Sequence, residues 1–319
     1  MKALVTEAAD PRPDLERSPA PEPENGACPI CGEGYLHEDV GTTRVAVRRC
    51  GLCGHRVATH ELTEISEDYH RQYEQGAFLE SLAVTRKRQA ERILALIRRL
   101  LPTADDLLDY GAGRGWFLEA CRRAGMRRIA GADTSTQAVA SLRTRDIPAF
   151  VVPMSTQSSF GLNRLPFRPR VVTLLDVVEH FPPEEISNVL ASLLREIGPQ
   201  LQLLVVKVPV ADGVLYRVSR ALASGLVSGP IEQLYQVGTF PPHFSYFTRA
   251  SMRCLIARHA MWILAEDGIS EIDRETVSGR VAALRRLPPG LGSVAGTTVA
   301  LLARSASKDS VVFVATPNS

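Results

Sequence analysis

The run LLDYGAGRGWFLEA, Leu107–Ala120, sets a short apolar segment ending in an acid against a glycine-dense turn and then a helical pattern. In α/β proteins this order brings a ligand to the carboxyl end of a strand. The glycines stand at 111, 113 and 115, so the spacing is G-x-G-x-G. A dinucleotide fingerprint, G-x-G-x-x-G, would need its third glycine at 116, where the chain has Trp116. A phosphate loop would need Gly-Lys-Ser/Thr, which does not follow. The turn is built for close backbone approach to a different ligand, or it is a tight turn with none.

Outward from this turn the chain alternates strand and helix. DLLDY reads as a buried strand, and WFLEACRRAG as a helix with Gly125 in the usual terminating position. IAGAD, AFVV, RVVTLLDVV and LQLLVVKVP follow as strands. Between the last two, Ile186, Val189, Leu190, Leu193, Leu194 and Ile197 form an apolar helical stripe, with Glu184 and Glu185 at its first turn. Upstream, Ile93, Leu94, Ile97, Leu100 and Leu101 repeat at helical spacing up to Pro102. Downstream, WILAED and TTVALLARS lack an obvious crossover helix between them, which predicts an antiparallel last pair. The expected fold class is α/β: a seven-stranded, mostly parallel sheet with one antiparallel strand and helices on both faces. About fifty residues rich in glycine, proline and aromatics precede WILAED, and the part at about 211–247 reads as a substrate lid.

Composition narrows the classes. The chain has 319 residues, 45% of them hydrophobic, and 37 basic against 35 acidic residues for a net charge of +2. That balance disfavours a nucleic-acid partner, and the scattered arginine pairs read as solvated helix ends and faces. No apolar run reaches the roughly 18 residues of a membrane span. The start, KALVTEAAD followed by PRPDLERSPAPEPE, has no apolar core of a signal peptide, and a cytoplasmic location is expected. Residues 1–26 read as a disordered tail.

Four of the six cysteines, Cys28, Cys31, Cys50 and Cys53, fall in CPICG and CGLCG, giving C-x2-C-x18-C-x2-C. Two residues between thiolates let one tight turn aim both sulfurs at one metal, and zinc takes four tetrahedrally. The intervening RVAVRR alternates as a strand does. A zinc ribbon at 27–65 is expected, closed by four sulfurs and therefore structural. A disulfide framework is the competing reading and fits poorly in a reducing compartment. His37 and His55 lie nearby as bystanders, and Cys121 and Cys254 read as structural thiols. A helical linker at 66–101 joins the ribbon to a domain at 102–304, and 305–319 reads as a tail.

LLDYGAGRGWFLEAC, IAGADTS, LLDVVEHFPP, LLVVKVP and HFSYFTRASMRCLI, in that order, resemble the class I S-adenosylmethionine-dependent methyltransferases, in the branch whose fourth strand ends in Glu-His. Many members of that branch carry an N-terminal CxxC…CxxC ribbon. The resemblance implies a Rossmann-like domain, S-adenosyl-L-methionine as cofactor and a structural zinc. On this reading Gly111, Gly113 and Gly115 let the backbone lie against the methionine part. Asp109 faces its ammonium, directly or through water, and Asp133, followed by Thr134, accepts the ribose hydroxyls. Asp176 closes the fourth strand beside the expected sulfonium. The acid usual after the third strand is replaced in VVPMST by Met154, Ser155 and Thr156, leaving the adenine contact there open.

Methyl transfer is an in-line displacement that gains from holding acceptor and methyl at near-attack distance, and hydroxyl or carbon acceptors must also lose a proton. His180 is the preferred base, oriented or polarised by Glu179. The alternative is a structural Glu-His turn with His180 bonded to backbone. His243, in PPHFSYF, is the second candidate base, and Tyr69 and Tyr73 are weaker candidates for closing over the cofactor. The implied activity is methyl transfer to a small-molecule acceptor: a sugar, glycan precursor or natural product. Two other readings are an RNA methyltransferase that grips RNA through the ribbon and a non-catalytic S-adenosylmethionine-binding protein. The sequence sets neither the methylated atom (oxygen, carbon or nitrogen) nor the oligomeric state.

Overall fold

The computed structural model describes residues 26–60, 76–153, 160–225, 227–239, 241–271 and 308–318, with side chains from 82 onward in the first helix. Tyr69, Tyr73, Met154, Ser155, Thr156 and the expected strand TTVALLARS lie outside the described residues.

The N-terminal module is a three-stranded antiparallel sheet of β1 (Leu36–Gly41), β2 (Val45–Cys50) and β3 (Arg56–His60). Alternation in β2 buries Val45 and Val47 on the face opposite the outward Ala46 and Arg48. A fourth strand comes from the other end of the chain. Ser245–Tyr246, β9 in chain order, pairs antiparallel with Arg56 and Val57 of β3.

The main sheet has seven strands. In chain order they are β4 (Asp106–Tyr110), β5 (Arg128–Asp133), β6 (Ala149–Val151), β7 (Val171–Leu175), β8 (Leu203–Pro209), β10 (Met261–Ile269) and β11 (Ser310–Pro317). Their spatial order is β10-β11-β8-β7-β4-β5-β6. The pairs β4–β5, β4–β7, β5–β6 and β7–β8 are parallel, while β11 runs antiparallel to both β8 and β10. The expected parallel sheet with one reversed strand is what forms.

Both faces are covered, so the central strands are apolar on both sides. Leu107, Val171, Val205, Val312 and Val314 pack with Ile93 and Ile97 of helix α1 (Gly76–Leu100), Leu118 of α2 (Trp116–Arg123) and Leu142 of α3 (Thr136–Arg143). Their alternates Leu108, Val172, Val206 and Phe313 pack with Val189 and Leu193 of α4 (Ile186–Ile197). That core continues into Met252 and Leu255 of α7 (Arg249–Arg258) and into Cys28 and Ile30 of the ribbon.

Two readings of the sequence need correction. Residues 305–319 are not a free tail, because Ser310–Pro317 fills the slot between β8 and β10, with Val311–Ala315 buried. VVFVA is apolar at every position, as a strand covered on both faces requires. The expected lid at about 211–247 is largely packed structure, carrying α5 (Val214–Ser224) and α6 (Gly229–Leu234). Tyr216, Ile231, Tyr235 and Tyr246 bury together with Val45, Val47 and Ala58 of the ribbon, and the Tyr216 and Tyr235 hydroxyls are 2.7 Å apart.

Phe313 lies fully buried in the reversed strand. Phe313→Ala should lower the unfolding free energy by about 3–5 kcal/mol in denaturant titration. A loss within experimental error would place this segment outside the core.

Candidate active site

The loop after β4 holds its shape through glycine. Gly111, Gly113 and Gly115 have φ of +80°, +50° and +75°, in the left-handed region that other residues rarely adopt. A Cβ on Gly111 would fall 2.3 Å from Val177 Cγ2, and one on Gly115 2.4 Å from Leu142 Cδ2. Those two glycines serve close packing. Gly113 differs, since a Cβ there would meet nothing within 4 Å, so this is the residue whose backbone faces open space. The Gly113 N–H donates to Asp133 Oδ2 at 2.7 Å, and the Ser135 N–H donates to Oδ1 at 2.8 Å. Asp133 thus braces the loop, with lone pairs left for further donors. Thr134, beside it, is exposed.

Asp109 is buried beneath this loop and accepts from the Thr173 hydroxyl at 2.6 Å. Burial pushes its carboxyl up to about 7; the Thr173 hydrogen bond opposes the shift and the charge of Asp133 adds to it. An acid poised there changes charge near neutrality.

The second half of the site follows β7. Asp176 has φ of +58°, a strained value for a residue with a side chain, and it turns the chain into a short 3-10 turn at Val178–His180. Val177, packed on Gly111, sets this turn directly against the glycine loop. Glu179 is fully buried, and among the described residues neither carboxyl oxygen has a hydrogen-bond partner. His180 Nδ1 lies 3.0 Å from the Pro242 carbonyl oxygen, to which it donates, leaving Nε2 as the lone-pair nitrogen. His243 meets His180 with ring centroids 4.6 Å apart, and one donor atom from each of Glu179, His180 and His243 lies within 4.8 Å of the other two. Glu179 and His180, read from the sequence as a pair, and His243, read as the alternative base, therefore form one cluster.

Burial sets their charge states. It raises the Glu179 carboxyl well above the usual carboxylate range, reinforced by the nearby Asp176. It lowers both imidazoles, His243 the further, with His180 adding to that shift. Both shifts favour the neutral imidazole, the form that keeps a lone pair.

Asp176, expected beside the cofactor, has its carboxylate engaged by two cations. Lys207 Nζ lies 2.7 Å from each Asp176 oxygen and also contacts Glu271, while Arg86 of α1 bonds Asp176 Oδ2. Sequence reading passes over Lys207 and Arg86, although one lysine inside LLVVKVP is a visible signal: a buried ammonium needs a partner.

The ribbon reaches the same place. Cys28 Sγ and Cys53 Sγ are 3.8 Å apart, and Cys31 Sγ and Cys50 Sγ 3.7 Å. A tetrahedron with metal–sulfur bonds of about 2.3 Å has edges of about 3.8 Å, whereas a disulfide needs about 2.05 Å. The Gly34 and Cys53 N–H groups donate to Cys31 and Cys50 sulfurs at 3.4 Å, as they would to thiolates. The cluster fits a zinc ribbon. From it, Thr248 Oγ1 donates to the Cys53 carbonyl at 2.7 Å, and His55, fully buried, packs on Phe247 and bonds Ser245. The Ala58 N–H donates to the Phe244 carbonyl at 2.8 Å, and His60 Nε2 donates to the His243 carbonyl at 2.9 Å. His55 is thus a structural link between the cysteine cluster and the segment that carries His243.

Comparison with known proteins accords with this geometry. A family described as "Methyltransferase domain" matches residues 84–259, more than half the chain, from α1 through the glycine loop and the Glu-His turn to the end of α7. No curated protein matches this sequence. Among solved structures, magnesium protoporphyrin IX methyltransferase (ChlM) from Synechocystis, with bound S-adenosylhomocysteine, is 15% identical, covers 79% of this chain and 94% of its own, and has a TM-score of 0.49. An S-adenosylmethionine-dependent methyltransferase from Archaeoglobus fulgidus is 17% identical over 78% of this chain and 97% of its own, at a TM-score of 0.43. The plantazolicin methyltransferase BpumL is 16% identical over 80% and 90%, at 0.44. At these values the likeness is one of overall shape. Sheet order, glycine loop and family match together make this chain a member of the class I S-adenosylmethionine-dependent methyltransferases.

Proposed function

We propose that this methyltransferase acts on a small-molecule acceptor, a sugar, glycan precursor or natural product, whose nucleophilic atom is held and deprotonated at the Glu179–His180–His243 cluster. The observation that carries the proposal is the convergence of a buried acid and two imidazoles on the turn that follows Val177, the residue packed against Gly111 of the glycine loop. The loop receives the methionine part of the cofactor, Asp109 its ammonium, and Asp133 the ribose hydroxyls. The acceptor atom gives up its proton and its electron pair forms the bond to the methyl carbon. The carbon–sulfur pair stays on sulfur, leaving S-adenosylhomocysteine. The near-neutral net charge supports a small acceptor over a polyanionic one.

The four cysteines hold one zinc in this reading, which orders the ribbon and takes no part in the chemistry. Metal analysis of the purified protein is expected to find about one tightly held equivalent. A zinc-free protein with an intact ribbon would remove the metal from the account.

An acceptor screen with methyl-labelled cofactor, beginning with nucleotide sugars, tests the function. In any productive pair His180→Ala should lower turnover by about 10²–10⁴-fold while cofactor affinity holds. Turnover retained in His180→Ala would take the chemistry elsewhere.

Cofactor binding should depend on pH through Asp109, which faces the Thr173 hydroxyl, the Asp133 carboxylate and the buried Cys121 thiol. Its carboxyl is raised, so it is ionised above about 7 and neutral below. Attraction for the cofactor's ammonium is therefore lost as pH falls. From about pH 8 to about pH 6 the apparent affinity should drop about tenfold in calorimetry, and Asp109→Asn should bind weakly without that slope. A wild-type affinity flat across this range would contradict the assignment.

A further inference from the structure

We propose that Glu179, His180 and His243 form a second metal site, distinct from the cysteine cluster, which takes a divalent first-row transition ion and presents it to an oxygen of the acceptor. The inference rests on the proposed function and names the device by which the cluster would act.

Three features of the side chains point to a cation. Glu179 is fully buried and, among the described residues, neither carboxyl oxygen has a hydrogen-bond partner; ionised and alone such a group costs several kcal/mol, so it stays protonated unless a cation displaces the proton. Lys207 and Arg86 hydrogen-bond Asp176 and act on Glu179 through their charge, without a hydrogen bond to either of its oxygens. The two histidines are held as metal-ligating histidines usually are, with one ring nitrogen tied to the protein and the other left as a lone pair. For His180 the tie is the Pro242 carbonyl. For His243 it is the Gln236 side chain, 2.9 Å from Nε2. Among the described residues neither Gln236 Oε1 nor His243 Nδ1, both buried, has a hydrogen-bond partner, although the Leu234 backbone lies close to the His243 ring. Turning the Gln236 amide over puts its oxygen on a His243 Nε2–H, satisfies that oxygen and leaves Nδ1 as a lone pair.

The donor set selects the ion. Two imidazoles and one carboxylate suit manganese, iron, cobalt or zinc better than calcium or magnesium, which prefer all-oxygen shells. Three protein ligands leave coordination positions open, unlike the four-sulfur cluster, so an acceptor oxygen can bind. Bonds of about 2.1 Å place ligand atoms about 3.0–3.4 Å apart, so the present spread of up to 4.8 Å must close by small side-chain rotations. A cation there would lower the pKa of a bound hydroxyl, letting its proton pass to solvent water before the methyl arrives. It would also favour oxygen as the methylated atom.

The test is manganese binding to the zinc-loaded full-length protein, followed by electron paramagnetic resonance and by thermal shift. The protein carries one equivalent of zinc, which the four thiolates take first, with excess zinc removed, so added manganese reports on the second site. One equivalent is expected, with a rise in melting temperature. Glu179→Gln, which keeps the shape, and His243→Ala should each weaken binding by about tenfold or more and abolish the thermal shift. His259→Ala, at a histidine bonded to Ser187 away from the cluster, should bind as wild type. Absence of saturable manganese or cobalt binding, or equal binding in Glu179→Gln, would overturn the metal site. If His180→Ala still abolished turnover in that case, the proposed function would stand with direct imidazole base catalysis. Failure of the wild-type protein to bind S-adenosylmethionine would instead defeat the function itself.

Discussion

The architecture turns on one short pairing, that of Ser245 and Tyr246 with Arg56 and Val57. It joins the four-cysteine ribbon at the start of the chain to the segment that brings His243 to the Glu179–His180 turn. A ladder hydrogen bond contributes only about 0.5–1.5 kcal/mol, so two residues of strand would not hold by themselves. Aromatic burial contributes more. Tyr216, Tyr235 and Tyr246 pack with Val45, Val47 and Ala58, and each fully buried ring removes some 150–250 Å² from water. At about 25 cal/mol/Å² that is several kcal/mol per ring. The ribbon is therefore a wall of the site, and its four sulfurs set where that wall stands.

On the other side the constraint is electrostatic. Lys207 sits almost wholly buried in a central strand, and Asp176 adopts a left-handed backbone to meet it. The strained turn this creates carries Glu179 and His180 to the carboxyl end of β7, against the loop wall at Gly111. The Lys207–Asp176 pair is accordingly a positioning device. Its partner Arg86 lies on α1, which ties the linker helix to the same point. Uncompensated, either charge would cost more than the backbone strain of roughly 1–3 kcal/mol at Asp176.

The catalytic half of the fold is legible in the sequence because its signals are local. Alternating apolar strands, G-x-G-x-G and the cysteine spacing each follow from a few neighbouring residues. Glu179 and His180 are readable by position, and His243 by composition, but their meeting depends on a contact between residues 62 or more apart. The packing role of 211–247 is hidden because glycine and proline obscure two short helices whose tyrosines find partners only in the ribbon. The last strand escapes for a different reason. TTVALLARS and VVFVA are both strand-like, and a reversed final strand has no crossover helix to mark it. His55 reads as a bystander in the sequence, and its burial against Phe247 cannot be seen without the pairing that creates it.

The most direct measurement is hydrogen exchange on the amides of Ala58 and of Phe244–Tyr246, comparing the zinc-loaded protein with Cys31→Ser. If the ribbon positions His243, loss of one sulfur should speed exchange at both ends of the β3–β9 pairing. Exchange in the glycine loop at 107–120 should stay unchanged. Equal protection of Phe244–Tyr246 in the two proteins would contradict the account, because His243 would then be held in place without the ribbon.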